Sequence, residues 1–199
     1  MSTVVALDIG SSAIAGAEIK DGRSLTRAAV EELPEGLVVD GEVAEPLELA
    51  NHIKAFWKAS KFTGKAVRLG VANQRVVVRN IDLPVIDDPD ELRAAVEMEA
   101  IEHIPIPPEQ AIIDFQPVGW FEDESGPRQR LVIVAAHREM VETLLSVMKR
   151  AGLRVDGIDL EAFALIRSLV PSRGNVQDAT VVCHIGAGAT NIVVSADHV

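Results

Sequence analysis

Apolar and polar positions along this chain fall into blocks whose period switches between two and about 3.6, the pattern of strands followed by helices. The run VVALDIG (4–10) is nearly continuous β-branched and apolar sequence, and AIAGAEIKDG (13–22) alternates well enough to return beside it before Asp21-Gly22 turns the chain. A hairpin is predicted with its tip at Gly10-Ser11-Ser12. After LPEGLVVDGEV (33–43), Pro46 suits a first helical turn, and Leu49, Ile53, Phe56 and Trp57 recur at helical spacing, so 46–62 reads as an amphipathic helix on a sheet. Residues 65–84 are strand-rich and close with Pro84. In DDPDELRAAVEMEAIEHIP (87–105), Asp88 can cap a helix, Pro89 fits its first position and Pro105 ends it.

AIIDFQPVGW (111–120) and RQRLVIVAAH (128–137) read as two more strands around the polar loop EDESGP, and HREMVETLLSVMKRAG (137–152) as a helix stopped by Gly152. Strand, helix, strand and strand thus form a compact unit from roughly 76 to 137. The remainder repeats the opening grammar: a strand at LRVDGI, a helix at LEAFALIRSLV, then TVVCHIGAGATNIVVSA (180–196) as a second glycine-tipped hairpin. The small unit reads as an insertion into a larger α/β domain built from both ends of the chain.

Composition narrows the function classes. The 199 residues are 48% hydrophobic and 25% charged, enough to bury a substantial core. A net charge of −11 argues against nonspecific binding to nucleic acid or an anionic lipid surface. The single cysteine, Cys183, excludes an internal disulfide, fits a reducing cytoplasm, and is expected to be a small buried packing residue within its apolar run. The opening MSTVVALDIG reads as neither signal peptide nor membrane anchor, and no apolar run approaches the ~20 residues of a spanning helix, so membrane contact is expected to come through a partner.

The two glycine tips carry the candidate chemistry. Gly10 and Gly186 let backbone amides turn toward an anion without a Cβ in the way, and Ser11, Ser12 and Thr190 add hydroxyl donors. One such tip more often simply makes a turn; two, at matching places in the order of elements, suggest a grip on phosphates. The expectation is that they are spatial neighbours on adjoining strands of one sheet.

At these residues the chain resembles a known family. LDIGSSAIAGAEI and VVCHIGAGATNIVV look like the first and second phosphate motifs of the actin-like ATPase superfamily, with its ribonuclease H-like fold. Their placement around an inserted strand-helix-strand-strand unit is similar to the bacterial branch holding the division protein FtsA and the type IV pilus assembly protein PilM. LPEGLVVDGEV, GVANQRVVVRNIDLP and EAIEHIPIPPEQAIIDFQ favour the PilM side. The resemblance implies an actin-like domain at 1–79 and 152–199 (subdomain 1A) with an SHS2-like insert at 80–151 (subdomain 1C). It implies a cytoplasmic, membrane-peripheral scaffold for pilus or related secretion-system assembly that holds the N-terminal tail of a PilN-type inner-membrane protein, and it admits self-association. It implies ATP and magnesium, with Asp8 near the metal, Gly10, Ser11, Ser12, Gly186, Gly188 and Thr190 in the phosphate-facing turns, and Glu161 near the position of a water-orienting residue.

Three departures weigh against efficient hydrolysis. His184 stands where the second motif usually begins with Asp, and magnesium prefers hard oxygen ligands to imidazole. Ala15 stands where PilM-like chains often carry Lys. The chain also stops soon after the second tip, before any counterpart of a second domain, so nucleotide binding is expected of a longer polypeptide. His184 otherwise reads as a strand-end histidine bonded to nearby backbone, and Glu161 equally as a solvent-facing residue of a first helical turn. An active ATPase and a division-type filament protein remain rival readings. Elsewhere, Trp57 is expected in the core, Trp120 and Phe121 are candidates for an exposed interface, and the acidic helix around EMEAIEH reads as a solvated face. His103 sits where a helix end favours a cation.

Overall fold

The computed structural model describes residues 3–170 and 179–195; Ala196, which ends the second hairpin in the sequence reading, lies outside them. The chain divides into two compact units, one of residues 1–73 with 142–199 and one of 74–141.

In the first unit, β1 (Thr3–Ile9), β2 (Ala13–Lys20), β3 (Ser24–Glu32), β6 (Ala66–Val71) and β10 (Arg154–Leu160) form one sheet in the order β10-β6-β1-β2-β3. β1, β2 and β3 are antiparallel neighbours, while β6 runs parallel to β1 and to β10. The β2–β3 turn places Asp21 at φ 51° and Gly22 at φ 67°, the left-handed pair that suits a tight hairpin. The same device, Asp40 at φ 52° and Gly41 at φ 75°, joins the short strands β4 (Val38–Val39) and β5 (Glu42–Val43).

Helix α1 (Pro46–Ala59) starts at its proline and buries Leu49, Ala50, Ile53, Phe56 and Trp57. Phe56 and Phe62 close over β2 at Gly16, where an added Cβ would come within 2.8 Å of the Phe62 ring. Trp57 Nε1 donates to the Gly64 carbonyl at 3.0 Å, which satisfies the indole where it is buried. Under the same layer lies Glu18, 4% exposed. Burial disfavours its charge, but donors from the Thr63 and Gly64 amides and the Thr63 and Thr26 hydroxyls win, holding the carboxyl at about 2.

The second unit is a three-stranded antiparallel sheet with β9 (Gly126–His137) between β7 (Val76–Pro84) and β8 (Ala111–Asp123). Helix α2 (Pro89–His103) buries Val96 and Ala100 against Ile81, Leu131, Ile133 and Ala135. The expected cap is present: the Asp88 carboxylate accepts from the Asp90 and Glu91 amides at 2.9 and 3.0 Å. His103 pairs one helical turn back with Glu99 at 3.1 Å. Trp120 is 69% exposed and Phe121 39%, on the outer length of the β8–β9 hairpin. Helix α3 (Arg138–Arg150) follows; from residue 142 on it belongs to the first unit, where its Val147 and Met148 are fully buried.

Three features differ from the sequence expectation. β3 is a full strand that the sequence reading leaves unassigned, because its apolar residues lie on an open edge: Leu25 is 65% and Val30 74% exposed. Among the described residues β11 (Thr180–Ile185) and β12 (Thr190–Ser195) pair only with each other, so the second hairpin is a separate ribbon and not part of the five-stranded sheet. Cys183 is exposed, not buried, as are Val181 and Ile185 on its face of the ribbon. No helix among the described residues is long and apolar enough to cross a membrane.

Candidate functional site

The candidate site lies wholly in the first unit, where the ends of β1 and β6, the two glycine tips and the start of α4 (Glu161–Leu169) line one cleft. β1 alternates strictly: Val5 and Leu7 point into the core, so Asp8 takes the opposite face. Across the hairpin Asp8 is paired with Ala15, and in the second hairpin His184 is paired with Asn191. Paired residues share a face, so the two hairpins present Asp8 and Ala15, and His184 and Asn191, at equivalent positions.

The tips themselves are built alike. Gly10 N–H donates to the Ala13 carbonyl at 2.9 Å, and Gly186 N–H donates to the Ala189 carbonyl at 2.9 Å. These two amides close the turns and are themselves engaged there. The glycines answer a local demand: a Cβ would lie 3.3 Å from the Ala13 oxygen at Gly10 and 3.0 Å from the Ala189 oxygen at Gly186. Gly188 is needed for a different reason, since a Cβ there would come within 2.8 Å of Ser11 Cβ. The two tips therefore touch, although they belong to separate sheets.

Of the residues singled out in the sequence, Asp8, Gly10, Ser11, Glu161, Gly186 and Gly188 line the cleft together. Ser12 and Thr190 are not in its lining; the Ser12 carbonyl instead accepts from Leu33 N–H at 2.8 Å. Glu161 opens α4, where the helix dipole favours a carboxylate. Its Oε1 pairs with His184 Nδ1, and its Oε2 accepts from Asn191 Nδ2 at 3.0 Å. His184 thus bonds a side chain from another element instead of neighbouring backbone. Asn191 was missed in the sequence; its alternation with His184 across the ribbon is the signal that marks it. The β4–β5 turn at Gly41 and Leu144 of α3 also line the cleft and carry no sequence signal of it.

Electrostatically the cleft is a carboxylate pair moderated by an imidazole. Asp8 has exposed surface, yet the cleft walls strip enough water to raise its pKa above the ordinary 3.8, and the Glu161 charge pushes the same way. His184 and the Ile9 amide pull it down. Such a pair favours a cation held through an oxygen ligand. Among the described residues no group of three His, Cys, Asp or Glu could hold a metal ion.

A profile of the family described as "Type IV pilus assembly protein PilM" matches residues 6–199. Among solved structures, the chain is similar to a protein described as "PilM-PilN type IV pilus biogenesis complex", with 29% identity and a TM-score of 0.81 over 96% of this chain. It spans 57% of the length of that chain. A second likeness, to an Aquifex aeolicus Ppx/GppA phosphatase, has 16% identity and a TM-score of 0.39 over 100% of this chain and 49% of that one, too low to carry weight. The α/β, actin-like fold expected from the two hairpins stands on the first of these structural matches.

Proposed function

The chain belongs to the type IV pilus assembly protein PilM family, and on that premise we propose that it is an assembly scaffold of a pilus or related secretion machine. In this reading it holds the cytoplasmic N-terminal tail of a PilN-type inner-membrane protein. The observation that carries it is the likeness to a protein solved as a PilM–PilN complex, over nearly the whole of this chain. The partner supplies the membrane contact, and the scaffold stays cytoplasmic and peripheral. The SHS2-like insert, expected at 80–151, is read as the unit 74–141, and the actin-like domain, expected at 1–79 and 152–199, as the first unit.

The cleft of the first unit is read as the phosphate end of a nucleotide site, with Asp8 toward a hydrated magnesium ion and Gly10, Ser11, Gly186 and Gly188 at the two tips, Ser12 and Thr190 lying outside its lining. Magnesium, when bound, would neutralise phosphate charge. The chain's own residues would orient and shield the phosphates: Ser11 at the contact of the tips, Asp8 at the end of β1, Glu161 as the candidate for positioning water. Turnover is expected to be weak or absent, since both oxygens of Glu161 are engaged by His184 and Asn191. A pair so held has less freedom to align a water for attack.

The reading is tested with the full-length protein and a synthetic peptide of the PilN-type cytoplasmic N-terminus from the same genome. Saturable binding by calorimetry, abolished by scrambling the peptide, is the expected result. A folded, full-length protein that ignores the native peptide would overturn it.

A further inference from the structure

Helix α2 is apolar on two opposite sides. Val96 and Ala100 face the core. At 100° per residue, Ala94, Met98 and Ile101 fall on the far side of the helix, and all three are exposed, Met98 by 70% and Ile101 by 62%. A solvated helix would carry charges there.

The outward stripe has a recognisable period. Within the helix, Ala94, Met98 and Ile101 are spaced four and three apart, the step between a and d positions of a coiled-coil seam. Its flanks are acidic: Asp90 and Glu97 on one side, and Glu102 on the other, occupy the positions that flank such a seam. Arg93, the one Lys or Arg of the helix, is turned away, its guanidinium 5.4 Å from the Phe115 ring centre. The stripe therefore offers apolar holes between rails of a single sign.

We propose that this face of α2 docks a basic amphipathic helix of a partner protein, with aliphatic side chains seated on Met98 and Ile101 and Lys or Arg residues against Glu97, Glu102 and Asp90. Charge complementarity selects that occupant. A second copy of α2 would set acid against acid along both flanks and is disfavoured by the same rails. The proposal concerns a different surface from the cleft of the first unit and stands whether or not nucleotide binds there.

The test uses the full-length protein and a labelled three-heptad peptide with Leu at the seam and Lys on both flanks. Two control peptides are a scramble of equal charge and the same seam flanked by Glu. In fluorescence anisotropy at physiological salt, the Lys-flanked peptide is expected to bind at least about tenfold more tightly than the scramble. Met98→Asp with Ile101→Asp should remove that advantage, and Glu97→Lys with Glu102→Lys should transfer the preference to the Glu-flanked peptide. Because these positions are exposed, circular dichroism melts of the variants should track the parent. As a reading independent of any variant, amide exchange in the unsubstituted protein should slow over 90–102 when the peptide is added. Equal binding of the scramble, or added protection elsewhere in the chain and none over 90–102, would overturn the proposal. So would a self-associated protein that Met98→Asp makes monomeric.

Discussion

Ser11 and Gly188, one on each glycine tip, meet so closely that a Cβ on Gly188 would stand 2.8 Å from the Cβ of Ser11. The tips meet at this contact although no ladder joins their strands. Gly188→Ala should overpack it and cost about 1–3 kcal/mol. Combining it with Ser11→Gly should restore part of that loss, a coupling readable by denaturant unfolding in a double-mutant cycle. Additive losses would mean that the tips do not touch in solution.

Glu18 makes acid stability predictable. Its folded value of about 2 lies below the ordinary 4.5, so its contribution is complete above 4.5 and is lost as pH falls from there toward about 2. Glu18→Gln should lower stability by about 2 kcal/mol at neutral pH, as a buried charge-assisted network is reduced to neutral bonds. Its unfolding free energy should also flatten between pH 4.5 and 2 relative to the parent. Parallel pH curves for the two proteins would show that the acid is not held ionised by Thr26, Thr63 and Gly64.

Most of the elements, both tips and the cap of α2 were legible in the sequence because each depends on a few adjacent residues: glycine where a carbonyl crowds the turn, aspartate before a proline-started helix. What was illegible is tertiary. β3 hides because an edge strand with exposed apolar positions lacks the buried-face alternation that marks a strand. Cys183 looked like core because its neighbours are apolar, yet the ribbon carrying it is open on that side. The pairing of Glu161 with His184 joins residues from two elements that no local pattern connects.

Asp88 should behave as an ordinary N-cap. Asp88→Ala removes the acceptor for the Asp90 and Glu91 amides and should cost about 1 kcal/mol in thermal or chemical unfolding. An unchanged midpoint would show that water replaces the cap without loss.

Asp8 and its neighbours give a titration signature of the cleft. Its pKa is raised by Glu161 and lowered by His184, so Glu161→Gln should move the Asp8 titration downward and His184→Ala should move it upward. Carboxyl-carbon NMR of labelled protein reads both shifts. Identical Asp8 curves in all three proteins would separate these residues in space.

The claim that the facing tips form a phosphate grip is tested most directly by calorimetric titration of the full-length protein with ATP and magnesium, alongside Asp8→Ala. Saturable binding that requires magnesium and is lost in the variant is the predicted result. Binding of equal strength in both proteins, or none in a folded parent, would contradict it.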